Sequence, residues 1–405
     1  MSATLLPHRR SWLREVIDSY LAPFAARNYT RGTLEYNARL LLAFSDFVAR
    51  QGVNDIARLP EWIDPFVATM SKVQIYRRKR RSKLLRFIAF LRQQKLIPPA
   101  PVPEPSLGAE LVEDYLRSLR ELRGLCVASV EIFRRFCQTL MGYLATEGID
   151  DLRTVNADII HRFVTCEGKR YCRYTLRQRC SMLRRLLSYL HRRGILKHDL
   201  AAGVAAPCVY KHEQCPRFLT RSEIEAVLAT VDRQTPVGKR DYALLLLLAT
   251  YGLRGIEVVR LRLDDIDWRN ELFHVRNRKA GNSSTYPLSA SVGTAILAYL
   301  REVRRAGGVH REVFLTLHAP YAPLAAGSLR TQVKHYLKRA GIRVARPGTH
   351  SFRYSCAQRL FEQGMPLKSI GDFLGHRDPN STERYTKIAL EQLREVATGD
   401  GEELL

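Results

Sequence analysis

The sequence predicts a mainly α chain with one small antiparallel β-sheet in its C-terminal unit, and three observations carry that expectation. Apolar residues recur at intervals of three and four through most of the chain, the spacing that keeps one face of a helix dry. Proline-rich breaks divide the 405 residues into stretches of domain size. Alternation with a period of two occurs around residues 266–288, where a hairpin is expected.

At 405 residues the chain is too long for one compact core, so two or three domains are expected. Lys and Arg number 65 against 40 acidic residues, a formal net charge of +25. That excess favours a polyanionic partner, nucleic acid before membrane. The first residues meet Arg9 and Arg10 before any apolar stretch, so no signal peptide is expected. The longest apolar run, Tyr242 to Thr250, is far short of a membrane span. The eight Cys are scattered without a CxxC pair of metal-ligand type. They read as reduced thiols of a cytoplasmic, nucleoid-associated protein with no cofactor and no metal.

The run from Ile97 to Pro105 holds five prolines and can be neither helix nor central strand. A second break lies near Ala201 to Arg217. The expected division is 1–97, an additional N-terminal helical DNA-binding domain; 98–105, a linker; 106–200, a second helical domain; 201–216, a linker; and 217–405, the unit with the sheet. The first two units look like copies. Phe44 to Ile56 ends a helix and turns at Gly52, and Leu140 to Leu152 does the same at Gly148, each glycine standing where a helix C-cap needs positive φ. Each copy is expected to close with a basic amphipathic helix. One carries Arg77, Arg78, Arg80 and Arg81, and the other carries Lys169, Arg170, Arg173 and Arg177. A basic face is most often merely solvated. Its recurrence in two copies of a +25 chain turns the expectation towards DNA.

The third unit opens with Thr220 and Glu223 in capping-box spacing, followed by an apolar helix that Gly252 ends. Ile266-Asp267-Trp268, Leu272 to Arg276 and Thr285 to Leu288 read as strands, with Gly281-Asn282 in the hairpin loop. Along this unit stand Arg254, Lys279, His350, Arg353, His376 and Tyr385, in that order. Glu257 follows Arg254 closely enough to orient it. Two Arg and two His can surround a phosphodiester, a Lys can supply a proton, and a Tyr can attack phosphorus. Guanidinium forks onto phosphate oxygens as Lys cannot, and His350 and Arg353, three apart, share a helix face.

The contexts Tyr251 to Glu257, His350-Ser351-Phe352-Arg353, and Leu374-Gly375-His376 with Tyr385 nine positions on resemble the tyrosine recombinase (phage integrase) family. The resemblance covers about residues 106–398. It implies that the second helical bundle, of SAM-like type, is the family's core-binding domain, ahead of a catalytic domain at 217–405; the first bundle, read as of the same type, is an addition that a minimal family member lacks and would read flanking DNA, extend the clamp or mediate protein contacts. It implies a reversible transesterification through a 3′-phosphotyrosyl bond, with Tyr385 as nucleophile. Arg254 and Arg353 would lie on the nonbridging oxygens, with His350 and His376 beside them and Lys279 as proton donor to the 5′ oxygen. Three positions depart from the family pattern. Ile256 stands where a small polar residue is usual, and is expected to change packing rather than a ligand. Ser283 and Ser284 replace a second basic residue, which leaves Arg278 as a competitor to Lys279. The partners implied are double-stranded DNA, a tetramer on two DNA sites, and a partner recombinase or accessory protein. The reaction would serve integration, excision or transposition of a mobile element. A topoisomerase IB-like relaxing enzyme and a non-catalytic DNA-binding accessory protein are the alternatives.

Overall fold

The computed structural model of the chain describes residues 11–70, 73–100, 108–209, 218–276, 283–305, 309–345 and 347–375. Lys279, His376 and Tyr385 lie outside them, as does Arg278. By compactness, residues 100–213 form one unit and the chain before and after them another. Within the latter, the hydrophobic cores of residues 13–97 and 219–352 are separate clusters. Among the described residues no helix is long and apolar enough to cross a membrane.

The N-terminal core is built by α1 (Arg14–Ala26), α2 (Arg31–Arg50), α3 (Ile63–Met70) and α4 (Gln74–Gln93). The unit of residues 100–213 repeats the series with α5 (Ala109–Glu121), α6 (Val127–Thr146), α7 (Ala157–Arg170) and α8 (Arg173–Arg192). The repetition reaches single residues. Gly52 and Gly148 follow α2 and α6 at φ +73° and +72°, a left-handed turn that a Cβ would strain. Asp55 and Asp151 then accept a backbone N–H two residues on, each at 2.9 Å, and open a 3₁₀ turn. In α4 the buried residues are Leu84, Phe87, Ile88 and Leu91. In α8 they include Leu183, Leu186, Leu187 and Leu190, each 99 positions later.

The basic run Lys169 to Tyr174 does not lie on a single closing helix, contrary to expectation. Lys169 and Arg170 end α7, Tyr171 and Cys172 are extended, and α8 begins at Arg173.

The C-terminal unit opens with α9 (Arg221–Ala229), entered through the expected capping box. Thr220 Oγ1 accepts from Glu223 N at 3.2 Å, and Glu223 Oε2 accepts from Thr220 N at 3.0 Å. Then comes α10 (Pro236–Tyr251), whose residues 243–249 are all buried. A helix apolar on every side must be wrapped, and α12 (Ala290–Glu302) and α14 (Thr349–Glu362) pack against it. Near its start Asp241 is buried beside Arg240 and accepts from Tyr336 Oη at 3.0 Å. Burial pushes the Asp241 carboxyl above its ordinary range even with that guanidinium at hand. Tyr336 belongs to α13 (Ala326–Arg339), so the contact ties α13 to α10.

Between α10 and α12 come α11 (Gly255–Val259) and a three-stranded antiparallel sheet of β1 (Ile266–Asp267), β2 (Leu272–Val275) and β3 (Ser284–Pro287) in that order. Phe273 sits opposite Ile266 on one side and Tyr286 on the other. Period-two alternation turns Phe273, Val275 and Tyr286 into the core. The last described element, α15 (Leu367–Leu374), ends at Gly375 in the left-handed region.

Candidate active site and nucleic-acid face

The site is assembled where α10, α14 and α15 meet, and a glycine allows the meeting. Gly252 closes α10 at φ +60°. A Cβ there would lie 2.8 Å from Cys356 Cβ and 2.9 Å from Leu374 Cδ2. Only a residue without a side chain lets α14 and α15 come this close while the backbone adopts that φ. Gly255 plays a milder version of the same part, since its Cβ would come within 3.1 Å of the Thr349 side chain, the residue before His350.

Arg254 stands just outside α11. Glu257 Oε2 accepts from the Arg254 backbone N–H at 2.8 Å, and Glu257 Oε1 accepts from the guanidinium at 2.7 Å. The expected orienting role of Glu257 is therefore visible, and the acid is almost wholly buried as it performs it. Ile256 is 40% exposed, so it fills no core position; here the expected packing change does not arise. Arg353, on the second turn of α14, is only 3% exposed.

The two arginines converge on one short stretch of backbone. Arg353 donates to Leu374 O at 2.6 Å and to Gly252 O at 2.9 Å, while Arg254 donates to Gly375 O at 3.0 Å. One residue earlier, the hydroxyl of Tyr286 on β3 donates to Phe373 O. Three consecutive carbonyls at the end of α15 are thus held by the hairpin, by α14 and by the loop after α10. These carbonyls carry the partial negative charge of a helix C-terminus, where cationic donors are favoured. The next residue is His376. Arg359 adds a further guanidinium to this junction, donating to Ala249 O at 3.1 Å and Thr250 O at 2.9 Å. Burial pushes the Cys356 thiol up in spite of Arg359 and Arg353 nearby, so it stays protonated and serves as packing.

His350 lies on the first turn of α14 and is exposed, its ring centroid 6.4 Å from that of Tyr354. Arg353 is one turn further along the same helix, as the spacing of three requires. The hairpin that would present Lys279 is anchored through its stem. Tyr286 stacks on Phe273 with centroids 5.3 Å apart and meets Phe373 edge-on at 5.1 Å. Tyr251 Oη donates to Pro287 O at 2.7 Å and accepts from Ser289 N at 2.8 Å. Of the six candidate catalytic residues, the described structure brings Arg254 and Arg353 together and sets His350 on the helix of the second.

Sequence reasoning missed Tyr286. Strand alternation marks it as inward-facing, but nothing local says that its hydroxyl reaches the end of α15. Tyr286→Phe should keep the ring packing and lose that hydrogen bond. Its stability cost should be about 1 kcal/mol, whereas covalent-complex formation should fall by at least about tenfold if hairpin and α15 must move together. A suicide-substrate cleavage assay alongside thermal unfolding separates the two. Equal, small losses in both would make the bond merely structural.

The basic residues take different positions in the two helical units. Arg77 donates to Ala68 O at 3.1 Å, and Arg81 pairs with Asp64 at 2.6 Å, holding its carboxyl below the usual range. Arg78 is exposed and Arg80 half-buried. In the unit of residues 100–213, Lys169 and Arg170 are exposed at the end of α7. The arginines of α8 are instead engaged by the chain that follows. Arg184 donates to Val204 O at 2.7 Å, Arg177 to Val209 O at 2.5 Å, and Arg173 to Cys208 O at 2.6 Å. The stretch 204–209, part of the expected linker, lies strapped along α8, and Ala201 and Val204 enter the core of this unit.

Two helical bundles precede, along the chain, a unit in which two arginines converge beside a small sheet. Similarity to known proteins identifies the class. The phage integrase family pattern matches residues 217–392. Over 391 residues, 93% of this chain and 93% of the relative, the sequence is 32% identical to the putative integrase/recombinase y4rA of Sinorhizobium fredii. It is 29% identical over 294 residues to the tyrosine recombinase XerD of Listeria monocytogenes, covering 71% of this chain and 97% of that one. The fold is similar to a crystal structure of the XerH site-specific recombinase bound to palindromic difH substrate. The TM-score is 0.55 at 17% identity, over 85% of this chain and 97% of that one. This chain belongs to the phage integrase family of tyrosine recombinases, whose members break and rejoin DNA.

Proposed function

We propose that this chain is a site-specific recombinase that cuts and rejoins double-stranded DNA through Tyr385, in the service of a mobile element. The observation that carries the proposal is the convergence of Arg254 and Arg353 on the adjacent carbonyls of Leu374 and Gly375, directly before His376. Donors already fixed in place can stabilise the charge that develops on a phosphorane without reorganising.

In the proposed reaction the Tyr385 oxygen forms a bond to the scissile phosphorus and the bond to the 5′ oxygen breaks. The phenolic proton leaves towards His350 or His376, and Lys279 protonates the departing 5′ oxygen. Alkoxide is a poor leaving group, so general-acid help is required. A phenol with an ordinary pKa near 10 becomes an effective nucleophile only beside such groups. Attack by a 5′ hydroxyl of a second duplex reverses the step and exchanges strands. Bond energy is kept in the phosphotyrosine, so no ATP is consumed. A tetramer on two DNA sites, with or without a partner recombinase or accessory protein, is the proposed working assembly, acting in the cytoplasm on the nucleoid. The proposed domain division follows the sequence, 1–97, 106–200 and 217–405 with 98–105 and 201–216 between them, except that 201–209 packs with the second helical unit.

The test is to incubate the protein with nicked duplexes taken from the flanks of its own gene and look for SDS-resistant protein–DNA adducts. An adduct is expected with the unsubstituted chain and none with Tyr385→Phe, which should still bind DNA. Persistence of the adduct in Tyr385→Phe would assign the nucleophile elsewhere, and Tyr354, beside His350, would be tested next.

A further inference from the structure

The strands of the hairpin are anchored on two sides. On the core side the Tyr286 hydroxyl holds Phe373 O. On the exposed side stands Arg276, the first residue after β2 and three positions before Lys279. Its Nε lies 2.6 Å from Asp265 Oδ1, and its Nη2 donates to Asp264 O at 3.4 Å. Asp265 ends the 3₁₀ turn Leu263–Asp265 that leads into β1, and it is only 3% exposed. Its other oxygen, Oδ2, accepts from the Arg262 backbone N–H at 2.9 Å. The chain beyond α12 holds this turn in its place. Leu263 N donates to Arg311 O and Val313 N to Leu261 O, each at 2.8 Å, and the Arg311 side chain pairs with Asp264.

An exposed ion pair usually contributes little, because both side chains can leave it. Here the acid cannot leave. It is buried and oriented by its own turn, and a buried carboxylate without a cationic partner is costly. The mobile half of the pair is thus tied to a fixed half, at the residue where the chain leaves the sheet. Val275 with Ser284 is the last described cross-strand pair before it. Three residues of extended chain span at most about 10 Å, so the anchor is close to the position it would govern.

Resting on the proposed reaction, in which Lys279 protonates the departing 5′ oxygen, we infer that Arg276 is a positioning residue for that proton transfer, acting through its ion pair with Asp265. A general acid contributes only within hydrogen-bond reach of the atom it protonates, and a misplacement of about 1 Å can cost about 10²-fold. In the step served, the Tyr385 oxygen bonds to phosphorus and the bond from phosphorus to the 5′ oxygen breaks. The electron pair stays on the 5′ oxygen, which takes the Lys279 proton. Sulfur in that bridging position changes the requirement. A thiol has an ordinary pKa near 8.5, so it leaves as thiolate without a proton.

The experiment compares the full chain with Arg276→Ala, Arg276→Lys and Lys279→Ala on two nicked duplexes that differ only in the bridging 5′ atom, oxygen or sulfur. The rate of adduct formation is measured at saturating protein, with thermal unfolding of each preparation. Arg276→Ala should react at least about tenfold more slowly on the oxygen duplex and within about threefold of the unsubstituted chain on the sulfur duplex. Lys279→Ala should show the same pattern with a larger loss on oxygen, about 10²-fold or more. Arg276→Lys, which keeps a cation near Asp265, should recover most of the rate. Should Arg276→Ala fail to fold, Arg276→Gln, which keeps a donor and loses the ion pair, takes its place. A purely structural role would slow both duplexes alike, and so would a direct contact of Arg276 with phosphate, so an equal loss on both overturns the inference. An Arg276→Ala rate equal to that of the unsubstituted chain on oxygen overturns it too, and either result leaves the Tyr385 reaction standing. Absence of adduct from the unsubstituted chain on both duplexes would overturn the reaction and the inference together.

Discussion

Arg353→Ala should lose covalent-complex formation by about 10²–10³-fold, the effect of removing a preorganised donor from a developing oxyanion. DNA binding should fall far less, because backbone contacts elsewhere dominate affinity. The same substitution should also destabilise the C-terminal unit. Arg353 donates to Gly252 O and Leu374 O from a buried position, and alanine leaves both carbonyls without that partner. A charged donor's bond contributes about 1.5–3 kcal/mol, so a loss of about 2–4 kcal/mol is expected. Arg353→Lys keeps the charge but not the planar fork. It should recover part of the stability and little of the chemistry. Thermal unfolding and adduct yield, measured together, check the division. An Arg353→Ala adduct yield within a few-fold of the unsubstituted chain would remove Arg353 from the catalytic set.

Gly252→Ala should strongly destabilise the junction at the site. At φ +60° an L side chain costs about 1–2 kcal/mol. The added methyl would also stand 2.8 Å from Cys356 Cβ and 2.9 Å from Leu374 Cδ2, and overpacking of a filled core costs about 1–3 kcal/mol more. Gly364 supplies the control within the same unit. It has φ +80°, and a methyl added there would meet nothing within 4 Å, so Gly364→Ala should show backbone strain alone. The difference between the two isolates the packing part. Because α14 and α15 must separate to admit the methyl, Gly252→Ala should also lower adduct yield. A Gly252→Ala protein no less stable than Gly364→Ala would mean that the junction is looser than these distances imply.

Much of the fold was legible because it is written in local pattern. The capping box at Thr220, the buried run 243–249, the hairpin stems and the left-handed glycines at 52 and 148 each follow from a few neighbouring residues. The duplication was legible too, since turn glycines and apolar spacing recur at a nearly constant interval. Two details were not. The break at Tyr171 and Cys172 interrupts a basic run that composition alone reads as continuous. The exposure of Ile256 depends on which way a five-residue helix faces, and a helix so short has too few turns to declare a periodicity.

At the site, sequence motifs named Arg254, His350 and Arg353 and the family to which the chain belongs, because residue type and spacing repeat the family's pattern. Lys279, His376 and Tyr385 rest on the same motifs. Glu257 beside Arg254 apart, what the guanidiniums of Arg254 and Arg353 touch could not be read along the chain. Arg353 reaches a carbonyl 101 positions before it and another 21 after it, and Arg254 reaches one 121 after it. The partner in each case is a backbone oxygen, which every residue carries, so no side-chain pattern announces the contact. The strap of 204–209 along α8 is hidden for the same reason. Sequence by itself determined the elements, the duplication and the chemistry the residues are suited to. Tertiary structure alone decided which donors meet which carbonyls, because that depends on how closely α10, α14 and α15 approach at Gly252.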